Sequence, residues 1–179
     1  MTDNGHPYLY TEIQSENDWR TLEVFDLKGE KIRHVGTSND SPHGALLNDP
    51  DEFYLTRRVD ALGTYDAYRK FHVGESGMPV AENEVYTKVN VCDSKEEETA
   101  LVSTRELPVT VFDGNGKEEK LPAGTEYYVR ATDLESFVDM ELSDGRKCRL
   151  DVKRSDKGWG FLIDGEEEEN CFEFIPYAG

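Results

Sequence analysis

The residues best placed to do chemistry in this chain are carboxylates in two look-alike stretches, "VFDLKGEKI" at 24–32 and "VFDGNGKEEKL" at 111–121. A calcium loop needs oxygen donors at positions 1, 3 and 5, glycine at position 6 and a bidentate glutamate at position 12. Counted from Asp113, position 3 is Asn115, but positions 5 and 6 are Lys117 and Glu118. Counted from Asp26, position 3 is already Lys28. A lysine in the coordination ring opposes a divalent cation. Both stretches therefore read as hairpin turns in which aspartate bonds nearby backbone, and no metal ligand is assigned.

The other reactive side chains give no stronger signal. His6, His34, His43 and His72 are scattered. His34 and His72 lie in similar hairpins near Gly36 and Gly74 and would meet only if such hairpins packed side by side, so they read as packing or surface residues. Cys92, Cys148 and Cys171 form no CxxC and match no zinc spacing. They read as separate thiols, with a Cys148–Cys171 disulfide as the alternative in an oxidising compartment. No G-x-S-x-G elbow, Walker loop or GxGxxG is present, so no catalytic residue and no cofactor is assigned. The acidic runs Glu166–Glu169 and Glu96–Glu98 read as a solvated face and an extended linker. Aromatic residues remain. Tyr128 and Trp159 each neighbour an alternating residue that must point inward, which predicts partial exposure. Exposed rings of this kind make contact surfaces for carbohydrate or peptide.

Charge narrows the partners. The 179 residues include 38 acidic and 20 basic side chains, a formal net charge of −18. Nucleic acid and anionic membrane surfaces are repelled by such a field, and cations and basic partners are favoured, although acidity of this kind reads first as a solubility device. Hydrophobic residues make up 36% and charged ones 32%, so a highly charged surface must cover the core. No apolar run approaches the roughly 18 residues that would insert in a bilayer. The opening "MTDNGHPYLYTE" has neither a basic nor an apolar leader region. That fits either a cytoplasmic chain or a piece of a longer exported one; the immediate entry into strand-like sequence suits a cut domain edge better, so the export signal is expected outside this sequence.

The elements that must position these residues are strands. "TLEVFDL" alternates Leu22 and Val24 and, after a break at Phe25, Leu27. With a turn at Lys28-Gly29 and "KIRHVG" it forms a hairpin from about Trp19 to Val35. "YRKFHVGESGMPV" turns at Glu75-Ser76-Gly77, and "EVYTKVNV" follows. Phe71 lies 71 − 25 = 46 residues after Phe25 in a similar context, a period compatible with propeller blades. "NDPDEFYLTRRV" carries helix-start residues at Asp49, Pro50 and Glu52, but its β-favouring composition argues for a turn entering a strand. A charged linker around Ser94–Glu97, itself carrying a capping-box pattern, precedes a second unit. That unit has strands in "LPVTVFD", "TEYYVRATD", "SFVDMEL", "RKCRLDV" and "GWGFLIDG", with turns at "LPAG" and Ser143-Asp144-Gly145. Asp164 with Glu167 predicts a capped helical turn through "EEEENCF".

The stretch "KLPAGTEYYVRATDLESFVDMELSDGRKCRLDV" resembles the SH3-like barrels of exported bacterial proteins, in which an LPAGT-type turn precedes a strand and a later hairpin carries an SDGR turn. The whole chain resembles envelope proteins and lipoproteins of gut bacteria in which propeller-like hairpins precede such a barrel. It lacks the "ALYDY" motif of eukaryotic SH3 domains, so PxxP binding is not carried over. The expectation is an all-β protein. A hairpin-rich, propeller-blade-like region at 1–92, read as a piece of a larger domain, precedes a small SH3-like barrel at 100–179. The expected function is a non-catalytic extracytoplasmic module binding a peptide, glycan or protein, with Tyr128 and Trp159 as ligand contacts. The alternative is a hydrolase, or an accessory domain of a cell-wall hydrolase, using paired carboxylates.

Overall fold

A computed structural model describes residues 1–3, 5–15, 19–42, 47, 49–88, 99–112 and 116–178. The protein is all-β and its strands pair antiparallel. Among the described residues no sheet closes on itself, and no helix is long and apolar enough to cross a membrane. The chain divides into two compact units, 1–58 with 66–84, and 59–65 with 85–179.

In the first unit, β1 (Thr2–Asp3), β2 (His6–Gln14), β3 (Arg20–Asp26) and β4 (Arg33–Ser38) form a four-stranded sheet in that order. Leu22 and Val24 are wholly buried and join Tyr8, Phe53, Leu55, Phe71 and Val73 in one core. The alternation of β3 does not break at Phe25 as expected. It continues inward to Asp26, 7% exposed, and leaves Leu27 outside. A buried carboxylate is tolerated there because it is fully engaged. Arg33 donates to its Oδ2 at 2.8 Å, His6 lies 2.7 Å from its Oδ1, and the Lys28 N–H donates at 2.8 Å. The Arg33 bond, then the His6 and Lys28 bonds, hold the acid far below its ordinary range. Asp26 is thus a turn residue, as expected, and an inward-facing one, which was not.

β5 (Phe53–Asp60) follows a turn in which Asp49 accepts the Asp51 N–H at 2.9 Å. The segment enters a strand and starts no helix. β6 (Thr64–Val73) folds back onto β7 (Pro79–Ala81) through the Gly74–Met78 turn.

The second unit contains β8 (Tyr86–Lys88), β9 (Leu101–Val102), β10 (Leu107–Val111), β11 (Lys117–Leu121), β12 (Glu126–Thr132), β13 (Phe137–Leu142) and β14 (Lys147–Asp151). They are ordered β11-β10-β14-β13-β12-β8, with β9 also on β12. Strict alternation buries Leu107, Val109 and Val111, then Tyr127 and Val129, then Val138, Met140 and Leu142, then Cys148 and Leu150. A period of two places all of these on one face. The Ser143-Asp144-Gly145 loop is a three-residue hairpin with Gly145 at φ +85°, the position that favours glycine. β15 (Lys153–Arg154), β16 (Phe161–Ile163) and β17 (Glu166–Glu167) make a small second sheet, followed by a 3-10 turn at Glu168–Asn170.

Asp164 does not cap a helix. Asp164 and Gly165 have φ of +50° and +82°, and Ile163 pairs with Glu166. They are the two central residues of a tight hairpin, for which Asp-Gly is a favoured pair. Cys148 and Cys171 are free thiols buried in the core, not a disulfide. Burial pushes Cys148 up to about 11 and raises Cys171 as well, so both are inert at neutral pH.

Asp133 organises the β12–β13 loop. Its Oδ1 accepts the N–H groups of Glu135, Ser136 and Phe137 at 3.0, 2.8 and 3.1 Å. Burial pushes its carboxyl up, but these bonds and the Ser136 hydroxyl outweigh burial and hold it at about 2. An acid held below its unfolded value near 3.9 stabilises the fold above that value and loses the contribution as pH falls through about 2. Asp133→Ala is expected to cost about 1 kcal/mol at pH 7 after allowing for its partial exposure. In urea unfolding followed from pH 7 downward, that deficit shrinks towards zero near pH 2.

Candidate functional site

The exposed aromatic surface with the most chemistry around it is in the second unit, at Trp159. The hairpin joining β15 to β16 closes with the Ser155 N–H on the Gly160 carbonyl at 3.2 Å. Gly160, at φ +72°, takes a backbone shape that L residues rarely adopt. A Cβ there would lie 2.7 Å from Glu168 Oε1. "GWG" therefore belongs to the turn, and the strand is only Phe161–Ile163. Trp159 is 57% exposed in this turn. Its exposure comes from turn geometry, not from the strand alternation that predicted it.

The chain tail completes the surface. Tyr177 meets Trp159 edge-on, ring centroids 6.5 Å apart at 84°. Its hydroxyl donates to Glu168 Oε1 at 2.6 Å. The Thr64 N–H donates to the Pro176 carbonyl at 3.0 Å, and the Ala178 N–H donates to Thr64 Oγ1 at 3.0 Å. The tail is thereby tied to the 59–65 turn, which brings Asp60 alongside. Asp60, Arg154, Trp159, Gly160, Glu169 and Tyr177 line a groove of about 610 Å³, within the range of small-ligand sites. The Arg154 guanidinium lies 4.5 Å from the Phe161 ring centroid.

Beneath the groove, Glu168 is 1% exposed. Its Oε2 has no hydrogen-bond partner among the described residues. Burial raises its carboxyl above the usual range; the Tyr177 hydroxyl and the Phe161 N–H act the other way, and Glu169 and Glu167 add to the rise. The Tyr177 phenol is raised too, first by burial and then by its bond to Glu168. A buried carboxyl and a phenol thus share one contact that holds the half-buried Tyr177 ring against the exposed Trp159.

Tyr128 does not join this site. It is half-buried on β12 beside the fully buried Tyr127, with the Arg130 guanidinium 5.7 Å from its ring. Arg130 donates to Glu141 at 3.2 Å, and Lys88, Arg130 and Lys147 line a second groove of about 490 Å³ with Phe112. Two of these three cations are engaged: Arg130 with Glu141, and Lys88 over the Tyr65 ring at 5.4 Å. A third groove, of about 440 Å³, holds Glu118, Glu119, Asp151 and Asp164 around Lys120.

The histidines stay apart in role. His34 bonds Glu23 and tilts against Phe25, while His6 stacks flat on Tyr8 at 4.5 Å and serves Asp26. Among the described residues no three His, Cys, Asp or Glu side chains are arranged to hold a metal ion. The calcium-loop reading at Asp113 and Asn115, the residues His43 and Cys92, and the linker at 94–98 lie outside the described residues.

Sequence reasoning missed Tyr177, Asp60 and Glu168. Glu168 was merged into a solvated acidic run, and Tyr177 carried no periodic signal. Comparison with known proteins finds no matching family model, curated protein or solved structure.

Proposed function

We propose that this protein is a non-catalytic binding module of the bacterial cell envelope, acting outside the cytoplasm and holding its ligand in the Trp159 groove. The observation that carries the reading is an indole 57% exposed on a turn braced from behind by the Tyr177–Glu168 contact. A large rigid ring gives contact area at low entropic cost, which is what recognition surfaces use. The envelope location rests on the sequence resemblance. The SH3-like reading of 100–179 rests on the hairpin succession with its LPAG and SDG turns, and the propeller-like reading of 1–92 on its hairpins and their spacing. The hydrolase alternative is less well supported. A general acid needs a raised pKa and access to substrate, and the carboxyl that burial raises in this unit, Glu168, is sealed at 1% exposure.

Co-sedimentation with isolated bacterial envelopes tests the reading. The intact protein is expected to pellet with the envelopes and to release no soluble sugar or peptide. Trp159→Ala is expected to weaken pelleting by about tenfold or more, the loss typical of a hot-spot aromatic. Because the indole is largely exposed, this variant keeps the parent's melting temperature within a few degrees. Release of soluble fragments would reject the non-catalytic reading.

A further inference from the structure

We infer that the Trp159 groove takes a neutral glycan, with a sugar ring against the indole and its hydroxyls shared among Asp60, Glu169 and Arg154. This rests on the binding-surface reading above and adds the class of ligand. Charge decides first. An anionic ligand meets a chain of net charge −18 and two carboxylates at the groove itself. A cationic one is drawn by that field and is the rival class, opposed locally by the Arg154 guanidinium, held over Phe161 in the same groove. The lining therefore offers acceptors that cannot donate, Glu169 and Asp60, whose Oδ1 already takes the Thr64 hydroxyl, beside a donor that cannot accept, Arg154. Hydroxyl groups, which do both, satisfy such a mixture without carrying charge. The ring supplies the other half of the match. An indole presents an electron-rich face, and a pyranose ring presents a flat array of C–H bonds that suits it. Tyr177, perpendicular to Trp159, walls one side, so the ligand lies in a corner with a preferred orientation.

The test uses the full chain carrying Trp19→Phe, so that indole emission reports Trp159 alone. It is titrated with hexasaccharides of β-linked glucose, β-linked N-acetylglucosamine and α-linked glucose, with octa-lysine and octa-glutamate, and probed on a printed glycan array. A saturable emission change is expected with at least one neutral oligosaccharide, little altered between about 50 and about 500 mM salt, since no ion pair forms. Arg154→Gln and Glu169→Gln are each expected to weaken it about tenfold, the loss of a hydrogen bond to a charged group. Saturable, salt-sensitive binding of octa-lysine or octa-glutamate with no glycan binding would overturn the ligand class and leave the binding surface standing. Silence of Trp159 towards every probe and the array overturns the glycan assignment; if Trp159→Ala also leaves envelope pelleting unchanged, the binding surface itself falls.

Discussion

Gly77→Ala is expected to melt the first unit at a temperature lower by about 15 °C or more, a loss on the order of 3–5 kcal/mol from overpacking plus backbone strain. Gly77 sits at φ +90°. A Cβ there would lie 2.1 Å from Tyr8 Cε1 and 2.4 Å from Cδ1, well inside contact. Tyr8 cannot yield easily: it is 6% exposed, packed in the core and stacked under His6. The Gly77 carbonyl also accepts the Tyr10 hydroxyl at 2.6 Å, so the turn cannot swing away without stranding a phenol whose pKa burial has already raised. Gly124→Ala is the control. It has φ +82° with nothing within 4 Å of the added carbon, so only strain applies, about 1 kcal/mol. Calorimetry of the two variants separates the causes. Equal melting shifts would show that Tyr8 does not hold Gly77.

Glu168→Gln is expected to change how the second unit's stability depends on pH. An acid whose folded pKa is raised binds its proton more tightly when folded. Its contribution is complete below the unfolded value near 4.3 and is lost as pH rises through the folded value. Ionised Glu168 would be a buried charge with one unpartnered oxygen, and no Lys or Arg is among the groups that set its ionisation. Glutamine keeps an acceptor for the Tyr177 hydroxyl and cannot ionise. The variant should match the parent at pH 4 and exceed it at pH 9 by about 2 kcal/mol, a typical cost of stranding a buried polar group. Urea unfolding across that range, followed by Trp159 emission in a Trp19→Phe background, is the measurement. Parallel profiles would mean that Glu168 is not what titrates. The same series bears on the groove, because the Tyr177 contact braces the ring pair.

Much of the β architecture was legible in the chain because strand alternation is a local property. Tyr127 and Val129, or Val138, Met140 and Leu142, declare their inward face by a period of two whatever else the chain does. Turn residues were legible where glycine answers a local backbone demand, as at Ser143-Asp144-Gly145. Legibility failed where a local signal has two readings. Asp164 with Glu167 fits a helix-cap pattern, yet φ above zero at both Asp164 and Gly165 makes a tight hairpin. At Asp26 the charge argued for the surface. Partners from residues 6, 28 and 33 reversed that, since a buried carboxylate is stable once its hydrogen bonds are met.

Composition and period by themselves settled an antiparallel β protein with a strongly acidic surface. They also pointed to an exposed Trp159, on a mistaken ground. The groove was decided by tertiary structure alone, because it joins a turn at 59–65, a hairpin at 155–160 and a tail at 175–178. The Ala178–Thr64 hydrogen bond closes a separation of 114 residues. No sequence window spans such a contact, and the burial that turns Glu168 from a surface acid into a brace for Tyr177 exists only once those segments pack.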